Sequence, residues 1–242
     1  MKKMKMKSTN FDERRGVKKP SMIILHYTGM QNFTAALDHL CDPASKVSSH
    51  YLIDLAGRLY PLVDEDKRAW HAGQSFWNKI IDVNSHSIGI EITNPGHEFG
   101  YQPFPDKQID AVIELCLGLI QKYKIKSYNI LAHSDIAPRR KQDPGELFPW
   151  ERLATEFVGL WASSREMDFG AAKKVLADRT LFHELLIEYG YDPNTPLECL
   201  ITTFHRHFYP EKFSDGEDPE EIDLLSAARL QALVRLKKTV KT

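Results

Sequence analysis

The stretch “SMIILHYT”, residues 21–28, decides the fold. Its apolar, β-branched centre is short and bounded by polar residues, so it reads as a buried strand that delivers His26 at its end. Downstream, “FTAALDHL” (33–40) has the spacing of a short helix, and “SSHYLIDLAGRLYPLV” (48–63) gives two strand-like runs around Ala56-Gly57, a hairpin signal. “SIGIEIT” (87–93) is another buried strand, ended by the breaker “NPG”. From Asp106 onward, Ile109, Val112, Ile113, Cys116, Leu117 and Ile120 recur at helical spacing; “YNILAHS” (128–134) follows as a strand with His133 at its exit. Residues 150–161 read as a closing helix. Strands and helices mixed around one hairpin predict the α/β class, with a mixed β-sheet flanked by helices.

The pattern changes after “WASSREMDFG”. From about residue 171 only helical spacing remains, in “KKVLADRTLFHELLIEYGY”, “PLECLITTFHRHFY” and “EEIDLLSAARLQALVRLKK”, which predicts a small all-α C-terminal domain of three helices. The expected domains span 18–164 and 171–242. Phe204, Phe208 and Tyr209 read as the core of the helical part rather than as an exposed aromatic platform.

Composition narrows the function. The 242 residues hold 32 Lys and Arg against 33 Asp and Glu, a net charge of −1, which argues against a nucleic-acid binder despite the lysine-rich start and “APRRK”. Cys41, Cys116 and Cys199 lie far apart without C-x-x-C spacing, so neither a disulfide framework nor a thiolate metal site is indicated, and a reducing compartment is. No apolar segment follows the basic start, and no run reaches the roughly 18 apolar residues of a membrane span. The expectation is a cytosolic protein, unless it is exported without a signal peptide; the oligomeric state is left open.

Residues 132–150, “AHSDIAPRRKQDPGELFPW”, are too polar for a core and too rich in proline for a solvated tail. His133 leaves a strand at the start of this loop, Asp143 follows ten residues later, and His26 leaves another strand. Two imidazoles and one carboxylate are a common ligand set for a hydrolytic zinc, because three protein ligands leave a fourth position open for water. The spacing alone leaves the alternative open that these are hydrogen-bonded structural residues. Glu91 stands inside an apolar strand run, where a carboxylate is costly unless it is paired or has work to do.

“IILHYTG”, “VSSHYLIDLAGRLYPLVDEDKRAWHAG”, “NSHSIGIEITNPG” and “ILAHSDIAPRRKQDPGELFPW”, in that order, resemble the zinc-dependent N-acetylmuramoyl-L-alanine amidases of the type 2 family, relatives of the peptidoglycan recognition proteins. The similarity covers about residues 22–160 and is strongest to AmiD- and AmpD-like members, including their H-S-D-I-A-P-x-R-K-x-D-P-G block. It implies the peptidoglycan-recognition/amidase fold, with Zn2+ held by His26, His133 and Asp143. Glu91 becomes the acid that handles the proton of the attacking water, and Lys141 the cation that steadies the oxyanion. His50, Trp70, His71 and Arg140 fall near the substrate cleft; His86 and His97 receive no role. The implied substrate is peptidoglycan or a muropeptide, including 1,6-anhydro forms, cut between the lactyl group of N-acetylmuramic acid and L-alanine. The C-terminal helices resemble a peptidoglycan-binding module more weakly, in phrases any small helical bundle contains. A muropeptide-recognition protein without activity is the rival reading; the presence of all three ligands with Glu91 and Lys141 favours the enzyme.

Overall fold

The computed structural model describes residues 7–163, 165–214 and 216–241. Ser164, the expected end of the first domain, and the first six residues of the basic start lie outside the described residues. The elements run β1 (Phe11–Glu13), β2 (Met22–Tyr27), α1 (Phe33–Cys41), β3 (Tyr51–Ile53), β4 (Leu59–Pro61), β5 (Lys67–Ala69), α2 (Val83–His86), β6 (Ser87–Ile92), α3 (Gly96–Phe99), α4 (Asp106–Tyr123), β7 (Ile130–Ala132), α5 (His133–Ile136) and α6 (Trp150–Thr155). Four further helices follow among the described residues: α7 (Phe169–Leu176), α8 (Arg179–Tyr189), α9 (Leu197–Phe208) and α10 (Leu224–Lys241).

The main sheet has the order β4-β3-β6-β2-β7. Strands β3, β6, β2 and β7 are parallel neighbours, and β4 folds back antiparallel on β3, so the sheet is mixed as expected. The hairpin turns where Asp54 Oδ1 accepts the Ala56 and Arg58 amides, both at 2.9 Å. Gly57 is required there: its φ is +79°, and a Cβ would press on the Lys107 backbone of α4.

Period-two alternation sorts the strands onto two faces. Ile23, Leu25, Ile88, Ile90, Ile92 and Ile130 point to one side, where Ile109, Val112, Ile113, Cys116 and Leu119 of α4 cover them. Met22, Ile24 and Leu131 point to the other and join an apolar cluster that includes Trp77, Phe182, Leu186, Tyr189, Tyr191, Phe204, Phe208 and Leu233. Trp77, fully buried, meets Tyr189 and Tyr191 edge to face at 5.8 and 5.2 Å. The C-terminal helices therefore share a core with the sheet. Among the described residues no helix is long and apolar enough to cross a membrane.

Two sequence expectations need correction. The closing helix stops at Thr155 instead of running to residue 161, because Phe157 and Gly159 take φ values of +63° and +96° while Val158 turns into the core. The first C-terminal helix is two helices, α7 and α8, and begins at Phe169. Asp178 ends the continuity by turning its carboxylate onto the Thr180 amide (2.8 Å) and the Leu181 amide (3.3 Å), an N-cap that restarts the helix.

The shared core makes a definite prediction. Phe204→Ala, at a fully buried position, should cost ~3–5 kcal/mol. Urea unfolding of the variant should show tryptophan fluorescence and far-UV dichroism falling together, with a single lowered midpoint; two separate transitions would show that sheet and helices unfold independently.

Candidate metal centre and active site

The parallel register sets His26 of β2 directly beside Glu91 of β6, on the face that carries Met22 and Ile24. Strand β7, on the other side of β2, ends at Ala132 and releases His133 at the first position of α5. The loop after α5 returns Asp143: the Ser134 amide donates to Asp143 O at 3.1 Å, while the Arg140 and Lys141 amides both donate to Ala137 O. Three sequence-distant side chains thus converge. His26 Nδ1, His133 Nδ1 and Asp143 Oδ2 lie 2.9–3.0 Å from one another.

All three side chains are buried. Burial alone would raise the Asp143 carboxyl, but the two imidazoles set against it, His133 first, outweigh that and hold it far below the usual carboxylate range. Burial, then the neighbouring His133, pushes His26 down to about 4, keeping a lone pair available. This donor set fits zinc: two neutral imidazoles and an anionic oxygen, spaced near the roughly 3.3 Å edge of a tetrahedron with ~2.0 Å bonds. Among the described residues no other group of histidine, cysteine and acid side chains has its ligand atoms so gathered.

The three ligands open into a cavity of about 350 Å³, also lined by Tyr27, Trp70, Glu91, His97 and Lys141. Glu91 Oε2 is sealed from solvent without a hydrogen-bond partner among the described residues. Burial, reinforced by Asp143 and opposed by Lys141, raises its carboxyl well above the ordinary range. Lys141 is exposed at the rim, and the Trp70 indole is pinned by donating to Asp12 Oδ1 at 3.1 Å.

Of the other residues expected near the cleft, His71 and Arg140 line the cavity and His50 does not. His50 is fully buried and absent from the cavity wall; its Nδ1 accepts from the Gly89 amide at 2.9 Å, and its Nε2 lies 3.0 Å from Lys67 O. His71 reaches the cavity but stands behind His26, 3.0 Å from its Nε2. Arg140 borders the cavity, yet its guanidinium is spent on the chain, donating to Gln74 O and to Ala72 O. His97, given no role from sequence, lines the wall: it joins the Tyr27 hydroxyl (3.0 Å) to Glu146 (2.9 Å), and Glu146 binds Arg206 of α9. The “NPG” breaker places His97 just past β6, a positional signal that residue type alone does not supply.

A second link to the C-terminal helices lies beneath the metal loop. Asp135, buried, accepts from the Ala132 amide (2.8 Å), the Tyr191 hydroxyl (2.8 Å) and His207 Nδ1 (2.7 Å). The short helix that starts with His133 is thereby fastened to α9 and to the segment before it.

A mixed sheet that brings two strand-end histidines and a loop aspartate together beside the Glu91 carboxylate defines a metallohydrolase. The family model for N-acetylmuramoyl-L-alanine amidases, Amidase_2, matches residues 16–146. AmiD of Escherichia coli is 38% identical over 230 residues, covering 87% of this chain and 82% of AmiD. Its solved structure superposes with a TM-score of 0.77 over 97% of this chain and 100% of that one. AmpDh3 of Pseudomonas aeruginosa gives 0.81 at 30% identity, covering 96% and 95%. AmpD of Haemophilus influenzae is 33% identical over 61% of this chain and 88% of its own. The chain belongs to the N-acetylmuramoyl-L-alanine amidase family.

The neutral, sealed state of His50 has a measurable consequence. Burial pushes its pKa down to about 3, against 6.5 when unfolded, so below pH 6.5 the unfolded chain takes up a proton that the folded chain refuses. Stability contributed by this group is complete above pH 6.5 and falls as pH drops towards 3, by about 1.4 kcal/mol per unit. His50→Asn, which keeps an acceptor for the Gly89 amide, should flatten the acid limb of a urea-midpoint profile between pH 7 and 4 by one proton's slope.

Proposed function

We propose that this chain hydrolyses the amide between the lactyl carbonyl of N-acetylmuramic acid, including its 1,6-anhydro form, and the L-alanine of the stem peptide. One observation carries the reading: Glu91 Oε2, without a hydrogen-bond partner among the described residues, shares a cavity with the converged ligand atoms of His26, His133 and Asp143. A bound zinc supplies Lewis acidity at the scissile carbonyl and brings the pKa of water towards ~7. Glu91, its proton affinity raised by burial, takes the proton of the attacking water and returns it to the departing alanine nitrogen. Lys141, at the rim, offers its ammonium to the developing oxyanion. Trp70 offers an apolar face to the substrate. Support for the substrate class comes from AmiD, solved with anhydro-N-acetylmuramic acid-L-Ala-D-gamma-Glu-L-Lys, and AmpDh3, solved with an anhydromuramic pentapeptide.

We assign residues 18–164 to catalysis and 171–242 to a helical part that buttresses the metal loop and, on export of the protein, would tether it to polymeric wall. The AmpD relatives, which align with about three-fifths of this chain and most of their own length, support that division. Cys41, Cys116 and Cys199, all free, support a cytosolic setting.

Zinc content and turnover test the reading together. The purified protein should carry one zinc per chain by mass spectrometry, chelation should abolish release of the stem peptide from anhydro-muropeptide, and added zinc should restore it. Glu91→Gln should keep the metal and lose ~10²–10⁴ in rate. Tight binding of muropeptide without any cleavage by the zinc-loaded wild type would make the protein a recognition module instead.

A further inference from the structure

The hydrogen-bond directions behind His26 form a chain that can be solved atom by atom. Ser87 has one hydroxyl hydrogen, and it is given to Val83 O at 2.7 Å. The 3.1 Å contact between Ser87 Oγ and His71 Nε2 must therefore be a donation from the ring. A neutral His71 that donates through Nε2 has its lone pair on Nδ1, the atom 3.0 Å from His26 Nε2. His26 must then carry its own hydrogen on Nε2, which leaves Nδ1, the atom facing His133 and Asp143, as a lone pair.

The surroundings are shaped for this ring. A Cβ at Gly89 would lie 2.5 Å from His71 Cδ2 and 2.6 Å from its Nδ1, so the imidazole rests directly on the bare backbone of β6. Asn84 Oδ1 receives both the His71 amide (3.1 Å) and the Ala72 amide (2.8 Å), fixing the main chain at this point. The Ala72 carbonyl, one residue along, lies 3.2 Å from His133 Nε2. That contact can only be a donation from the ring, which frees the Nδ1 of the second histidine as well.

We propose that His71 is a positioning residue for the metal site: backed by Ser87 and seated on Gly89, it locks His26 in the tautomer that presents Nδ1, while the adjoining Ala72 carbonyl does the same for His133. The His71–Ala72 dipeptide, clamped by Asn84, is then a single bracket orienting both imidazole ligands before any ion arrives. Partners of this kind that hold a metal-ligating histidine typically contribute 10–100-fold to metal affinity. The inference rests on the zinc-enzyme reading, and its readouts are independent of turnover.

Nitrogen NMR of the metal-free wild type should find His26 and His133 protonated on Nε2, and His71 likewise; a population of His26 protonated on Nδ1 would overturn the proposal. In a chelator competition, His71→Ala should bind zinc 10–100-fold more weakly. His71→Gln, whose amide oxygen can accept from His26, should recover most of the affinity, and Ser87→Ala should fall between. The rise in melting temperature on adding zinc should shrink in proportion for His71→Ala. Wild-type zinc affinity in folded His71→Ala would refute the role, as would a lowered melting temperature that is equal with and without zinc. Should His71→Ala fail to fold, the wild-type spectra and the Ser87→Ala affinity decide the question. Weak zinc binding by His71→Ala alongside an inactive wild type would sink the amidase reading and leave this one standing.

Discussion

Three ligand atoms held within about 3 Å of one another, away from solvent, are the constraint on which the rest of the molecule depends. Left to themselves, two imidazole lone pairs and a carboxylate would move apart or capture protons, because the interior screens charge poorly. Each is prevented by a different part of the fold. His26 is fixed by parallel pairing on both sides of β2, His133 by the end of β7 and the start of α5, and Asp143 by main-chain hydrogen bonds within its loop. The sheet supplies the position, and the groups behind it supply the orientation.

Burial then divides similar residues into different roles. Glu91 and Asp143 are both carboxylates facing one cavity, yet Asp143 lies against two histidines and stays ionised, whereas Glu91 Oε2 has no partner among the described residues and burial pushes the group towards its protonated form. Two acids whose environments separate their proton affinities can serve as ligand and as proton carrier at the same pH. The histidines divide likewise: His26 and His133 present a lone pair to the cavity, while His50 has both ring nitrogens engaged inside the sheet.

The central strands and α4 were legible in the sequence because both faces of β2 and β6 are covered, so their apolar runs are unbroken, and because α4 buries one face at regular spacing. The ligands were legible only through the ordered family blocks, because two strand-end histidines and an aspartate ten residues after the second also suit hydrogen-bonded structural roles. The ends of helices were not: nothing in “ATEFVGL” announces that Phe157 adopts a left-handed backbone, and Asp178 reads as an ordinary helical residue until its carboxylate is seen capping α8. His50, His71 and His97 could not be sorted by type, since depth in the sheet and hydrogen-bond partners decide what an imidazole does. The core that the sheet shares with the C-terminal helices was also hidden, because Trp77 and the tyrosines around Gly190 lie more than a hundred residues apart.

Asp135 illustrates a consequence for how such a protein can change. Its carboxylate joins the loop that carries His133 to Tyr191 and His207, which stand 56 and 72 residues further along the chain. The three positions are coupled, since each is buried and a change at one leaves a polar partner unpaired. A helical segment grafted from another protein would have to bring a hydroxyl and an imidazole to the same two points, or leave a buried anion stranded beneath the loop. Recombination at the boundary between sheet and helices is therefore restricted to donors that match this trio, however freely the outer surfaces diverge.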